Sequence, residues 1–279
     1  MSDRLYAAES YTELGSRNFK PRYNADKKTR IVPVLYALFG SAALVMFLVL
    51  GFSLLALKTE VRGTSLVSAE EVLRVAGIRE KSSVFTLDLA KAEIALEIYY
   101  RIKNARIDYS FPGKLVITIE ERVPVGMIIT ETEAGATELV CIDAEGIIIG
   151  SESDFPGNNA LPVLSGIVLR NYRNGNRLDE RFLPALRSLD ILRNENPKLM
   201  DAFSEFQFVE KTKGYIEVLA YPVMYKTPLR LGSTVEAASL QVGIWILDAM
   251  RDKTGKDAMA ELDLRGKIYT AKFKEAVSG

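Results

Sequence analysis

Hydrophobic positions divide the chain into regions of different period. From Ile31 to Leu57 they are nearly continuous, and no charge falls between Arg30 and Lys58. A helix of roughly 27 residues reaches about 40 Å, more than the ~30 Å hydrocarbon core of a bilayer. In a soluble fold such a helix would need burial on every side. The pattern therefore predicts one membrane-spanning helix at 31–57, with the bulk of the chain on one side of the membrane.

Beyond the span the periods shorten. Thr59-Glu60-Val61-Arg62 reads as a short strand ending at Gly63. Ser68-Ala69-Glu70-Glu71 has the form of a capping box, in which the Ser68 hydroxyl takes the Glu71 amide and the Glu71 carboxylate reaches back. The helix it opens runs through Val72, Leu73, Val75 and Ala76 to a stop at Gly77. Asp88 is placed to cap a second helix, with Leu89, Ala92, Leu96 and Tyr99 at helical spacing. Two alternating runs follow, Ala105 to Tyr109 and Lys114 to Ile119, joined by a turn at Phe111-Pro112-Gly113. Strand, helix, helix, strand, strand is enough for two helices to cover one face of a small sheet.

From about Met127 the chain is richer in strands. Candidates are Met127 to Thr130, Glu138 to Asp143 and Gly146 to Ile149, with a turn at Asp143-Ala144-Glu145-Gly146 and a polar loop from Ser151 to Ala160. Asp179 to Asn194 reads as a helix with Phe182, Leu183, Leu186, Leu189 and Ile191 on its apolar side. Phe203 to Glu210 and Tyr215 to Tyr221 read as a hairpin. Val235 to Met250 reads as a second helix whose apolar face, Trp245 included, packs on the sheet. Glu261 to Phe273 closes as a strand pair or one bent strand. The expected fold is α+β: a single transmembrane helix, a β-α-α-β-β domain and a β-rich domain with packed helices. The expected boundaries are 1–30, 31–57, 58–126 and 127–279.

Charge assigns sides. The tail before the span carries Arg4, Arg17, Lys20, Arg22, Lys27, Lys28 and Arg30. Basic flanks stay in the cytoplasm, which sends the C-terminal part across. The apolar run is longer than the 7–15 residues typical of a cleaved signal, and no A-x-A site precedes Lys58. After Leu57 the chain carries 29 basic and 32 acidic residues. That part is near neutral, with no basic face for nucleic acid. Cys141 is the single cysteine and lies in an apolar run, so it reads as a core residue and the exported part has no internal disulfide.

Catalytic chemistry is sparse. The chain has no histidine, which removes the commonest general base and most zinc sites. Neither a phosphate loop nor a dinucleotide fingerprint occurs. Glu120-Glu121, Glu131-Thr132-Glu133 and Asp143-Ala144-Glu145 are acidic clusters. Paired carboxylates suit glycoside hydrolysis, but nothing sets two of them across a cleft, and such pairs ordinarily sit on strand edges and turns. No catalytic residue, cofactor, metal or small-molecule substrate is expected.

Several motifs carry a resemblance. Val61-Arg62-Gly63-Thr64 with Val67 to Val72, then Val84 to Asp88, Ala105 to Pro112 and Leu115 to Val125 are its main part. Leu161 to Gly166, Leu231-Gly232 and Leu262-Asp263-Leu264-Arg265 follow it downstream. In these the chain resembles the FtsQ/DivIB family of bacterial division proteins, bitopic proteins with a POTRA domain and a β domain. The resemblance implies a non-catalytic division-site scaffold in the cell (inner) membrane, with its N-terminus cytoplasmic. It also implies contacts with FtsB/DivIC-like and FtsL-like bitopic partners through the end of the β domain. Carried onto this sequence, the partner-binding residues are Gly266, Lys267, Ile268, Tyr269, Thr270, Ala271, Lys272 and Phe273. Lys267 to Phe273 is β-prone and reads as a closing edge strand, either blunted by its lysines or open to an added strand. On that reading Tyr269→Pro would remove a ladder amide and abolish capture. A membrane-anchored POTRA-type chaperone for exported polypeptides is the rival, weakened by the lack of tandem POTRA repeats.

Overall fold

The computed structural model describes residues 28–53, 58–79, 87–110, 113–131, 135–155, 161–254 and 259–274. The start of the tail, residues 54–57 of the apolar run, Val84-Phe85-Thr86, the Phe111-Pro112 turn, Thr132-Glu133 and residues 156–160 of the polar loop lie outside them. Helix α1 (Lys28–Ser53) forms a compact unit separate from the region beyond it. Its stretch Val32–Gly51 has a mean hydropathy of 2.3 and no buried residue, so it is long and apolar enough to cross a bilayer.

The next region opens with β1 (Lys58–Arg62), α2 (Ala69–Val75), α3 (Leu89–Ile98), β2 (Ile102–Ser110) and β3 (Lys114–Glu121). The three strands form a sheet in the order β1-β3-β2. β1 runs parallel to β3, with Val61 opposite Ile117, and β2 runs antiparallel to it, with Ile107 opposite Ile117. Alternation on β3 turns Leu115, Ile117 and Ile119 inward against Val72, Ala92 and Leu96 of the two helices.

The helix ends are fixed locally. Ser68 Oγ accepts the Glu71 amide at 3.1 Å, and Asp88 Oδ1 accepts the Lys91 amide at 3.1 Å. The Glu71 carboxylate does not complete a capping box. It takes the Tyr99 hydroxyl and pairs with Arg74 instead. At the end of α2, Ile78 N donates to Leu73 O and Gly77 N to Arg74 O, with Gly77 at φ +69°, which is a Schellman stop.

From Pro124 the chain builds a second, larger sheet. Its strands are β4 (Pro124–Glu131), β5 (Thr137–Asp143), β6 (Ile148–Ser151), β7 (Val163–Ser165), β8 (Phe203–Glu210), β9 (Ile216–Pro222), β10 (Leu229–Leu231), β11 (Met259–Asp263) and β12 (Thr270–Phe273). Helices α4 (Leu183–Glu195) and α5 (Pro197–Met200) precede β8, and α6 (Ala237–Thr254) precedes β11. The strand order is β12-β11-β10-β9-β8-β7-β4-β5-β6. One face carries Leu164, Phe206, Phe208, Val218, Ala220, Leu229, Leu231 and Leu262, in one core with Leu186, Leu189, Leu240 and Leu247 of the helices.

Two helix expectations fail in detail. Leu192, not Ile191, completes the buried stripe of α4, and Ile191 is 55 % exposed. Two residues beyond Leu189 is about 200° around a helix, so position 191 faces away. Trp245 does not pack on the sheet and is 68 % exposed. The inward stripe of α6 runs through Leu240 and Leu247, and position 245 lies off it. Cys141 is buried, and burial first, then the nearby Glu152 and Asp154, pushes its thiol up to about 12.

Candidate docking edge

The two ends of the large sheet differ. At β6 the edge is covered: Ile148 N donates to Asn176 O at 2.9 Å, and Gly175 N donates to Ile148 O at 2.8 Å. At the other end β12 pairs only with β11 among the described residues, and all four of its residues are exposed.

Backbone direction on β12 follows from its neighbours. Leu262 N donates toward β10, to Pro228 O at 3.0 Å, and Leu264 N to Arg230 O at 2.9 Å. Successive residues alternate sides, so the amide and carbonyl of Asp263 and Glu261 face β12. Their antiparallel partners are Thr270 and Lys272. The peptide groups of Thr270 and Lys272 therefore point inward, and those of Ala271 and Phe273 point away from the sheet. This is the geometry an added strand needs.

The solvent face of the same strands carries a line of charges. Glu217 of β9, 5 % exposed, accepts from Arg230 Nη1 at 2.8 Å, pairs with Lys211 at 3.5 Å and also takes Arg265. Arg230 forks onto Glu261 of β11 through Nε at 2.7 Å and through Nη2, the strong bidentate form. Glu261 in turn meets Lys272 Nζ of β12 at 3.1 Å. Arg265 closes on Asp263 through Nε at 2.9 Å. Arg230 holds Glu261 below the usual carboxylate range, and Arg265 does the same for Asp263. For Glu217 burial pushes upward, but Arg230 and Arg265 outweigh it and the net shift is down. Glu217, Glu261 and Asp263 are therefore held in the charged form at neutral pH.

The residues expected to bind a partner divide between two structures. Gly266 to Ile268 form the bend after β11, Tyr269 follows, and only Thr270 to Phe273 are strand. The expected strand from Lys267 is thus three residues too long. Tyr269 precedes the ladder, so the outward amides within the strand are those of Ala271 and Phe273. The bend is short and held by Arg265, which leaves Ile268 82 % exposed.

Two of the three acidic clusters, Glu120-Glu121 and Asp143-Ala144-Glu145, have structural partners. Glu120 binds Lys103 and Asn104. Glu121 Oε1 gathers the amides of Ser65, Leu66 and Val67 at 2.7, 3.0 and 2.9 Å, closing the loop between β1 and α2. Asp143 Oδ1 takes the amides of Glu145 and Ile147 at 3.0 and 2.7 Å, and its Oδ2 pairs with Arg122. No group of three or more potential metal-ligating residues occurs among the described residues. The charge line on the outer face is absent from the sequence reading. Its signal was a single charge inside each apolar run, Glu217 in Ile216-Glu217-Val218 and Arg230 in Leu229-Arg230-Leu231.

The strand–helix–helix–hairpin domain ahead of the large sheet is a POTRA domain of the FtsQ type, matched by that family model over residues 58–122. The cell division protein FtsQ of Syntrophotalea carbinolica is 26 % identical over 181 residues, which is 63 % of this chain and 58 % of that protein. FtsQ of Mycobacteroides abscessus is 34 % identical over 108 residues, 39 % of this chain and 33 % of that protein. The chain thus spans less than two thirds of these curated relatives. The matched family model and both relatives are of the FtsQ type, and each match covers part of this chain.

Proposed function

We propose that this protein is a bitopic division-site scaffold. It has a cytoplasmic tail (1–30), one span (31–57), an extracytoplasmic POTRA domain (58–126) and a β domain (127–279). It performs no turnover of its own. It holds FtsB/DivIC-like and FtsL-like partners beside the membrane and so helps coordinate septal peptidoglycan synthesis. The relatives are named cell division proteins, and the basic flank before α1 supports a cytoplasmic N-terminus.

The observation that carries the docking role is the β12 edge, which pairs only with β11 among the described residues and has the peptide groups of Ala271 and Phe273 aimed outward. Many sheets blunt such an edge. Here the opposite end is covered by the chain's own residues, and no described residue covers this one. On this reading a partner adds a strand along Thr270–Phe273, with Gly266 to Tyr269 at its rim. Depletion of the protein in its host tests the role: filaments with failed septa are expected. Normal division with defective outer-membrane proteins would replace the scaffold by a chaperone of exported polypeptides.

A further inference from the structure

The charges on the outer face of the large sheet alternate strand by strand. β9 presents Glu217, β10 Arg230, β11 Glu261 and Asp263, and β12 Lys272. Each inner row has an opposite charge on both sides: Arg230 lies between Glu217 and Glu261, and Glu261 between Arg230 and Lys272. Among the described residues Lys272 has one on the β11 side only, and Glu261 is already shared with the Arg230 fork. The Lys272 side chain is 63 % exposed. The line ends with an unmatched rung at the edge that, in the function proposed above, accepts a strand.

The rest of the edge has the same sign. Arg265 to Lys274 holds four cations and no anion. Arg265 is taken up by Asp263 and Glu217, whereas Lys267 and Lys274 stand exposed. On the opposite face of β12, Ala271 and Phe273 alternate with Thr270 and Lys272, and Phe273 is 52 % exposed.

We infer that Lys272 is a specificity-determining residue: it selects an incoming strand that sets a carboxylate beside it and an apolar side chain beside Phe273. The inference rests on strand addition at β12. The peptide group of Lys272 is bonded to β11, so the residue opposite it on an antiparallel added strand occupies a non-hydrogen-bonded pair. In such pairs the Cα atoms lie about 4.5 Å apart and side chains come closest. A carboxylate there continues the alternation. A lysine or arginine would put two cations side by side, which is unfavourable.

The test uses the full chain in detergent. Its probes are three synthetic peptides copied from the partner segment that crosslinks to position 273. They differ only at the residue opposite Lys272, which is Glu, Gln or Lys. Binding is expected to fall in that order, by about tenfold between the extremes, since opposed and like cross-strand charges act in opposite directions. Lys272→Met keeps the stem, leaves the edge free of a second acid beside Glu261, and should bring all three peptides within twofold. Lys272→Glu should invert the order. Equal binding of the three peptides, or a preference that survives Lys272→Met, overturns the selectivity. Ala271→Pro separates the two ideas. If it abolishes binding while the peptides bind the unaltered chain equally, strand addition stands and selection by Lys272 falls. If binding is unchanged by Ala271→Pro, or no peptide binds the unaltered chain, strand addition itself is wrong and the selectivity falls with it.

Discussion

Gly63→Ala is expected to unfold the POTRA domain or leave it barely stable. Gly63 follows β1 at φ +83°, and a Cβ built there lies 2.0 Å from the Ile119 carbonyl oxygen. That atom is backbone in the central strand β3, paired on both sides, so it cannot swing away as a flexible side chain would. The left-handed conformation alone costs a non-glycine residue about 1 kcal/mol, and relief of the contact would pull β1 from β3. The total expected loss is about 3 kcal/mol or more, in the range of severe single substitutions. Gly77→Ala is the control. Gly77 has a similar φ of +69° but nothing within 4 Å of a built Cβ, so it should lose only the conformational ~1 kcal/mol. Thermal unfolding of the two variants, followed by circular dichroism, checks this. Equal losses would mean that the approach to Ile119 carries no weight.

Arg122→Ala should be about as damaging through a different cause. Arg122 stands between β3 and β4, its amide donates to Arg101 O at 2.8 Å, and its side chain is 11 % exposed. It meets Asp143, whose side chain is 5 % exposed, and Glu145 at 2.8 Å. Removing the guanidinium strands a buried carboxylate that also organises the turn after β5. Breaking one side of a buried pair costs about 3–5 kcal/mol, whereas neutralising both sides costs much less. Arg122→Met combined with Asp143→Asn should therefore recover part of the stability lost by Arg122→Ala. Denaturant melts of the three variants measure it. A double variant less stable than Arg122→Ala would show that the pair is not what holds this junction.

The sequence was most legible where structure is local. Ser68 and Asp88 announce their helices because a cap is decided within three residues, and Gly77 because the stop needs a positive φ. The longer strands followed from alternation and the apolar helix from length, whereas β7 and β10, three residues each, are too short to show a period and were not foreseen. Reading failed where hydrophobicity was equated with burial. Ile191 and Trp245 are apolar, but their angular positions take them off the stripes that face the sheet. It failed again at the C-terminal strand, since β-propensity in Lys267 to Phe273 cannot say where Arg265 will anchor a bend. The charge line was hidden because its members meet only across strands. Glu217 and Arg265 lie 48 residues apart, and no local pattern links them. The docking edge itself came from the family resemblance, and the pairing of β11 with β12 supplied the outward-facing residues.

In the function proposed above, the backbone of β12 is the surface that meets a division partner. The most direct test replaces Phe273 by a photo-crosslinking phenylalanine analogue in the full-length chain in living cells, followed by mass spectrometry of the trapped species. The account predicts a small bitopic coiled-coil division protein. It also predicts loss of that product when Ala271→Pro removes the neighbouring outward amide. A product that excludes division proteins, or one that persists undiminished with Ala271→Pro, would contradict it.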